Sequence, residues 1–226
     1  MADGLHPPVE FHPPVEEYLE TIQSLTEEGT TVIQARIAER LGRSAPSVSE
    51  MLERLAADGY IRRSGRTIAL TDQGQALADS VIRRHRLAER LLVDIIGLPW
   101  HKAHLEAGRW EHVISDEVEA RLVEILGNPS TCPHGNPIPG APRPTSDDQV
   151  SLAEVEPGGT FQVQRITEEI ELDMASLAFL DEHGLVPGRS GRVAERAPDG
   201  TLTLEIDGAV VTLAPGLCQQ MFVASA

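Results

Sequence analysis

Val32-Ile33-Gln-Ala-Arg36-Ile37-Ala-Glu39-Arg40-Leu41-Gly42-Arg43-Ser44-Ala-Pro46-Ser47-Val48-Ser49-Glu50-Met51-Leu52-Glu53-Arg54-Leu55 decides the fold. It holds two short apolar stripes at helical spacing. Ile33, Ile37 and Leu41 form the first; Val48, Met51, Leu52 and Leu55 form the second. Gly42 is a stop signal, Ser44 an N-cap, and Pro46 sits where a first helical turn tolerates it. Two short helices joined by a tight glycine-containing turn make a helix-turn-helix. Residues 15–26 read as a preceding amphipathic helix, with Tyr18, Leu19, Ile22 and Leu25 inward. After Asp58-Gly59, residues 60–63 and 67–71 read as short strands turning at Ser64-Gly65-Arg66. The hairpin makes the unit a winged variant.

The outer side of the second helix carries Ser44, Ser47, Ser49, Glu50 and Arg54. Small and hydrogen-bonding side chains suit a major groove, and Arg62, Arg63 and Arg66 on the wing suit phosphates. The 226-residue chain carries a formal net charge of −16, which taken alone argues against nucleic acid. The charge is uneven, however. Between residues 30 and 75 there are seven arginines, Arg36, Arg40, Arg43, Arg54, Arg62, Arg63 and Arg66, against five acidic residues, a local balance of +2. Arg36 joins the DNA-binding candidates on that ground. The residues alone leave open a purely structural three-helix unit with solvated arginines.

With 41% hydrophobic residues the chain can bury a core. No apolar run reaches membrane-span length, and the N-terminus lacks a signal-peptide pattern. Two cysteines, Cys132 and Cys218, are too few for a disulfide framework, so a cytoplasmic setting is expected. Residues 73–95 and 100–126 read as two long helices separated by Gly97-Leu98-Pro99. Ala103, Leu105, Val113, Val118, Leu122 and Ile125 would give the second an apolar face suited to a core or a dimer interface. Residues 128–149 are rich in Pro and Gly and read as a linker, its first half ordered. Residues 150–226 are strand-like, with hairpin signals at Pro198-Asp199-Gly200 and Asp207-Gly208 and a short helix near residues 174–183. A small β barrel is expected there.

His85 and Glu89 stand at i, i+4. His104, Gly108, Glu111 and His112 would share one face of the second long helix. Two helices could thus aim imidazoles and carboxylates at one divalent cation. The plainer reading of His85 and Glu89 is a surface helix pair. His101 reads as an exposed helix-start residue.

These stretches resemble the diphtheria-toxin-repressor family of metal-dependent transcriptional regulators. The resemblance is carried by Ala35-Arg-Ile-Ala-Glu-Arg-Leu41, Arg84-His85-Arg86-Leu-Ala-Glu89-Arg-Leu-Leu-Val-Asp94, Arg109-Trp-Glu111-His112-Val-Ile-Ser-Asp116 and Gly135-Asn136-Pro-Ile-Pro-Gly140. It covers essentially the whole chain. It implies a mainly α protein with a β C-terminal domain. The order would be a winged helix-turn-helix (1–75), a helical metal-binding and dimerisation domain (76–140), a Pro-rich tether (141–149) and an SH3-like barrel (150–226).

The resemblance also implies ligands. Glu17 occupies the N-terminal ligand position, where iron-type members have Met and manganese-type members a carboxylate. Glu111 and His112 match core ligands, and His85, Glu89 and His104 match ligands of two neighbouring sites. Gly108 stands where relatives supply Cys or Glu; its carbonyl, a water or Glu106 could fill the place. Cys132 and His134 match a pair that ligates a second cation near Glu89 in some manganese-type members; a buried Cys and a turn His is the alternative. Glu168 and Glu171 match ligands reaching from the SH3-like domain, or form a solvated acidic run. Arg86 and Asn136 match an anion-binding pair. DNA contacts transfer onto Ser44, Pro46, Ser47 and Ser49, with Glu50 replacing the family's Gln.

Both sulfur positions are lost, and oxygen donors suit Mn(II), which is favoured over Fe(II); hard ligands still permit iron. The expected function is a homodimeric regulator that binds double-stranded operator DNA when loaded with Mn(II). It would control metal-uptake genes, mostly as a repressor, and is neither an enzyme nor a membrane protein. The competing readings are an Fe(II)-dependent regulator, a metal-dependent hydrolase, for which no cleft motif is present, and a metal buffer that does not bind DNA.

Overall fold

Three helices and a hairpin open the part of the chain that the computed structural model describes, residues 14–142 and 149–225. Expectations for residues 1–13, for 226 and for most of the 141–149 tether lie outside the described residues. Helix α1 spans Pro14–Glu27, α2 Gln34–Leu41 and α3 Ala45–Ala57. Gly42 closes α2 at φ +60°, a left-handed cap that glycine adopts without steric cost. The Ser44 hydroxyl caps α3 by accepting from the Ser47 amide, and a proline sits in the first turn. Strands β1 (Ile61–Ser64) and β2 (Thr67–Leu70) pair in antiparallel register as the wing. Leu19, Ile22, Ile37, Val48, Leu52 and Leu55 are fully buried between these elements.

Helix α4 runs from Asp72 to Arg90 and continues as a π-helical turn, Leu91–Ile96, closed by Gly97. The second long helix expected over residues 100–126 is not continuous. A 3-10 turn (Trp100–Lys102) leads into α5 (Ala103–Ala107), residues 108–115 form turns, and α6 spans Asp116–Ile125. Gly108 disfavours a helix interior by about 1 kcal/mol. The Val113 and Ile114 amides both turn back onto the Trp110 carbonyl. Asp116, Glu117 and Glu119 then favour a fresh helix start, where the peptide dipole attracts negative charge.

That break divides the sequence constellation. The chain forms two units, Met1–Arg84 with Gly108–Ser115, and His85–Ala107 with Asp116–Ala226. Glu111 and His112 belong to the first, and His85, Glu89 and His104 to the second. The single helical face expected through His104, Gly108, Glu111 and His112 does not form.

In the second unit, strands β3 (Val150–Ser151), β4 (Thr160–Ile166), β5 (Ser190–Arg196), β6 (Leu202–Ile206), β7 (Ala209–Leu213) and β8 (Met221–Ser225) make one antiparallel sheet in the order β3-β8-β4-β5-β6-β7. Short helices α7 (Glu168–Glu171), α8 (Met174–Glu182) and α9 (Pro215–Gln219) interrupt it. Phe161, Ile166, Leu177, Leu180, Val193 and Leu204 fill its core. This is a small SH3-like β domain following a helical region. Among the described residues no helix is long and apolar enough to cross a membrane.

Candidate functional site

Glu89, at the end of α4, is completely buried. Its Oε1 lies 3.2 Å from His85 Nε2, 3.3 Å from His104 Nδ1 and 3.1 Å from His134 Nδ1. Oε2 is also buried and has no hydrogen-bond partner among the described residues. An orphaned carboxylate oxygen costs free energy unless something else satisfies it. Glu171 joins from α7, its Oε2 2.8 Å from His104 Nδ1. Cys132 Sγ completes a second group with Glu89 and His134. Imidazoles, carboxylates and a thiol this close fit a divalent transition-metal ion.

A glycine brings the loop in. Gly135 has φ +90°, and a Cβ there would stand 2.0 Å from the Gln164 carbonyl oxygen. Only glycine lets residues 132–136 lie against β4 at its bulge, between Val163 and Arg165. The Ile166 amide donates to the His134 carbonyl, and the Trp100 indole N–H to the Pro133 carbonyl. His134 Nε2 lies 3.3 Å from the Trp100 carbonyl and donates to it, while Nδ1, protonated in the metal-free centre, donates to Glu89 Oε1. The Asn136 amide donates to the Ile166 carbonyl and to Glu171 Oε1. The Arg86 guanidinium donates to the Pro137 carbonyl. The two residues expected to hold an anion are thus engaged with protein acceptors, one of them the Glu171 carboxylate.

The titrations follow from crowding. Burial pulls the His104 imidazolium down, but hydrogen bonds to Glu171 and Glu89 outweigh it and push its pKa up to about 10. Burial likewise opposes the His134 imidazolium, and the Glu89 and Glu171 charges raise it overall. Burial pushes Glu89 up, yet the positive charges of His134 and His85 hold it well below the usual carboxylate range. Glu171 is lowered in the same way, against its own burial, chiefly by His134. Burial and then the Glu89 and Glu171 charges drive the Cys132 thiol well above its ordinary value. The metal-free centre is therefore a proton-loaded one, and a cation would displace those protons.

A second cluster lies in the first unit. His112 Nδ1 is 2.6 Å from Glu16 Oε2, and its Nε2 is 3.0 Å from Glu111 Oε1. Burial depresses the imidazolium, but Glu111 and then Glu16 raise it overall. Carboxylate oxygens of Glu20 and Glu111 come within 4.8 Å of one another. Glu17 instead lies 3.7 Å from Arg43. Sequence reading missed Glu16 and Glu20, although their i, i+4 spacing on α1 was a usable signal. Glu168 is not among the converging donors, whereas Glu171 is. Gly108 follows α5 directly. His101 is not a bare surface residue: its Nδ1 pairs with Asp181 Oδ2 at 2.7 Å.

On the helix-turn-helix, Ser44, Pro46, Ser47 and Glu50 are exposed and Ser49 half-buried. Arg36 is exposed and donates to the Thr31 carbonyl, Arg54 lies 3.7 Å from Asp58, and Arg66 is exposed in the wing turn. Arg40 does not add to this face, because Glu28 grips it with two hydrogen bonds at 3.0 and 2.7 Å.

A winged helix joined to buried imidazole–carboxylate clusters defines a metal-dependent DNA-binding regulator. Comparisons agree along most of the chain. Residues 10–67 match the iron dependent repressor N-terminal DNA binding domain, 71–140 its metal binding and dimerisation domain, and 150–225 the FeoA domain. The iron-dependent repressor IdeR of Mycobacterium tuberculosis (strain H37Rv) is 48% identical over 204 residues, covering 85% of this chain and 88% of that protein. The diphtheria toxin repressor of Corynebacterium diphtheriae is 42% identical over 207 residues, covering 88% and 91%. A solved manganese-dependent transcriptional repressor in complex with manganese superposes with a TM-score of 0.85 at 33% identity, covering 94% of this chain and all of that one. The chain belongs to the iron-dependent repressor family, the group of IdeR and the diphtheria toxin repressor, whose members are named as repressors and not as enzymes.

Proposed function

We propose that the protein is a cytoplasmic, homodimeric repressor that binds operator DNA when loaded with Mn(II) and controls metal-uptake genes. The observation that carries the metal dependence is the fully buried Glu89 carboxylate, ringed by three imidazoles with one oxygen left over. The domain division proposed is 1–75, 76–140, a tether at 141–149, and 150–226.

Preference for manganese rests on the α1 cluster. Glu16, Glu20 and Glu111 with His112 offer oxygen and one imidazole, and Glu17 and Gly108 bring no sulfur. Hard oxygen donors suit Mn(II). The likeness to a repressor solved with manganese supports it. Glu16 and Glu20 stand on α1 and Glu111 and His112 on the 108–115 segment, so shared ligation would restrain α1 of the winged-helix region. A bound cation supplies the positive charge that lets these carboxylates remain together. Selective binding to the DNA-competent arrangement then shifts the population toward it.

Dimerisation would cover the apolar side chains that the second unit exposes, Ile95, Ile96, Leu105, Val118 and Ile125. Ser44, Pro46, Ser47, Ser49 and Glu50 would face base edges, and Arg36, Arg54 and Arg66 phosphates. Fe(II) is the second reading, favoured by 48% identity to an iron-dependent repressor and by the imidazole-rich Glu89 centre. Anaerobic titration of operator affinity with Mn(II) and with Fe(II) tests the assignment. A half-saturating Mn(II) concentration below that for Fe(II), relative to their free levels in the cell, is expected; equal responses overturn selectivity, and affinity unchanged by either metal overturns the function.

A further inference from the structure

Two adjacent residues of α1, Glu17 and Tyr18, reach the start of the recognition helix α3. Tyr18 is buried, and its hydroxyl meets the Ser47 side chain. That contact pins this end of α1 beside α3 and carries Glu17 with it. Glu17 Oε2 lies 3.7 Å from the guanidinium of Arg43, the residue just before the Ser44 cap. The N-terminal residues of a recognition helix are the ones that approach DNA, so Arg43 stands at the edge of the proposed DNA face. Its side chain is 55% exposed. At 3.7 Å its contact with Glu17 is an ion pair beyond hydrogen-bond reach. The Arg40–Glu28 pair close by in sequence is of another kind. Those side chains are only 11% and 4% exposed and share two hydrogen bonds, which commits Arg40 to the fold. Arg43 is instead held by a contact that a phosphate can replace.

We infer that Arg43 is a further DNA-backbone contact and that Glu17 withholds it in the metal-free protein. This rests on the reading of the protein as a metal-dependent repressor, and it adds a residue pair through which α1 acts on the DNA face. A phosphate offers a guanidinium the same charge-assisted, two-pronged bonding that a carboxylate does. Glu17 and a DNA phosphate therefore compete for one side chain. Glu17 has the advantage of being already in place, but its hold is weak: an exposed ion pair shifts an equilibrium by about fivefold at most. DNA can displace it at the cost of part of the affinity that a free Arg43 would give. Glu16 and Glu20 stand on the same helix as Glu17. A cation held by Glu16, Glu20, Glu111 and His112 is a second positive charge beside Glu17, and it competes with Arg43 for that carboxylate. Metal loading thus loosens the hold on Arg43 without any rearrangement of the recognition helix.

The test is a double-mutant cycle on the full-length protein, stripped of metal by a chelator and measured at low salt. The probe is a fluorescein-labelled duplex selected from a random pool by the Mn(II)-loaded wild type, and the readout is fluorescence anisotropy. Glu17→Gln is expected to raise metal-free affinity about two- to fivefold, the worth of an exposed ion pair. Adding Arg43→Gln should remove that gain. It should also reduce the slope of log affinity against log salt by about 0.9 per protomer contact, relative to Glu17→Gln alone. A gain from Glu17→Gln that is equally large with and without Arg43 comes from the charge of Glu17 acting on the DNA as a whole, and overturns the pairing. An unchanged salt slope overturns the backbone contact. Metal-free affinity of Glu17→Gln equal to wild type overturns the withholding, because a Glu17 that only ligates a cation would give that result. Wild type on the same duplex separates the two readings. Binding stimulated by Mn(II) together with an additive cycle removes only the Glu17–Arg43 device, whereas binding that neither Mn(II) nor Fe(II) changes removes the regulator.

Discussion

His104 Nδ1 and Glu171 Oε2 meet at 2.8 Å, tying α5 to α7 through an ion pair nearly closed to water. The pair makes the metal-free protein sensitive to pH in a definite direction. The imidazolium is raised from 6.5 to about 10 on folding, so its stabilising contribution is complete below 6.5 and is lost as pH rises through about 10. Glu89 is held below 4.5, so its contribution is present above that value and lost as pH falls. Chelated protein should therefore lose thermal stability as pH rises from 7 to 10, and His104→Gln should flatten that loss. Parallel Tm curves for the two proteins over this range would refute the coupling. Metal loading should also release protons, which calorimetry in buffers of different ionisation enthalpy reads directly.

His112 links α1 to the 108–115 segment through Glu16 and Glu111. His112→Ala removes a ligand and leaves two carboxylates facing each other. Even supporting groups around a metal contribute about 10–100-fold to its affinity, so metal stimulation of operator binding should fall by at least about tenfold. The circular dichroism of the metal-free protein should be unchanged. An operator affinity equal to wild type at every Mn(II) concentration counts against the α1 cluster.

Much of this is legible in the sequence. Gly42, Ser44 and Pro46 are local signals that act through their own backbone, and the helix-turn-helix follows them. Asp207-Gly208 adopts φ +50° and +82° as a two-residue hairpin between β6 and β7, the geometry that pair favours. His85 and Glu89 are neighbours on one helix turn. The non-local part comes from the family resemblance and not from spacing: Cys132, His134 and Glu171 reach Glu89 because the Gly135 loop lies against β4, a contact between residues far apart in sequence. The preference of His112 for Glu16 over Glu17 depends on the rotation of α1 about its axis, which an amphipathic stripe sets only coarsely. The break after Ala107 is hidden in the sequence, because the residues beyond it keep helical spacing.

Gly135 carries that loop. With φ +90° and a carbonyl oxygen 2.0 Å from any added Cβ, Gly135→Ala must strain the backbone and push the loop off β4. A loss of at least about 2 kcal/mol in unfolding free energy is expected. Metal content should drop with it, since Cys132 and His134 move together. A stable, fully loaded Gly135→Ala protein would mean the loop has another seat.

The resemblance implies a sulfur or carboxylate ligand at Gly108, which has no side chain to offer. Gly108→Cys adds a thiol to the 108–115 segment that carries Glu111 and His112. Thiolates favour softer ions, so metal competition should shift toward Fe(II), Co(II) and Zn(II) relative to Mn(II). The same order of metals in wild type and variant would remove the softness argument for manganese.

Arg66 sits exposed in the wing turn, beside Gly65 at φ +60°. A wing arginine on a DNA phosphate releases counterions, so its contribution is read in salt dependence more than in sequence preference. Arg66→Ala should weaken binding about equally across operator variants. The slope of log affinity against log salt should fall in magnitude by about 0.9 per protomer contact. The measurement is fluorescence anisotropy with Mn(II)-loaded protein over a series of salt concentrations. An unchanged slope places Arg66 off the phosphate backbone, and a change confined to one operator variant makes it a base contact instead.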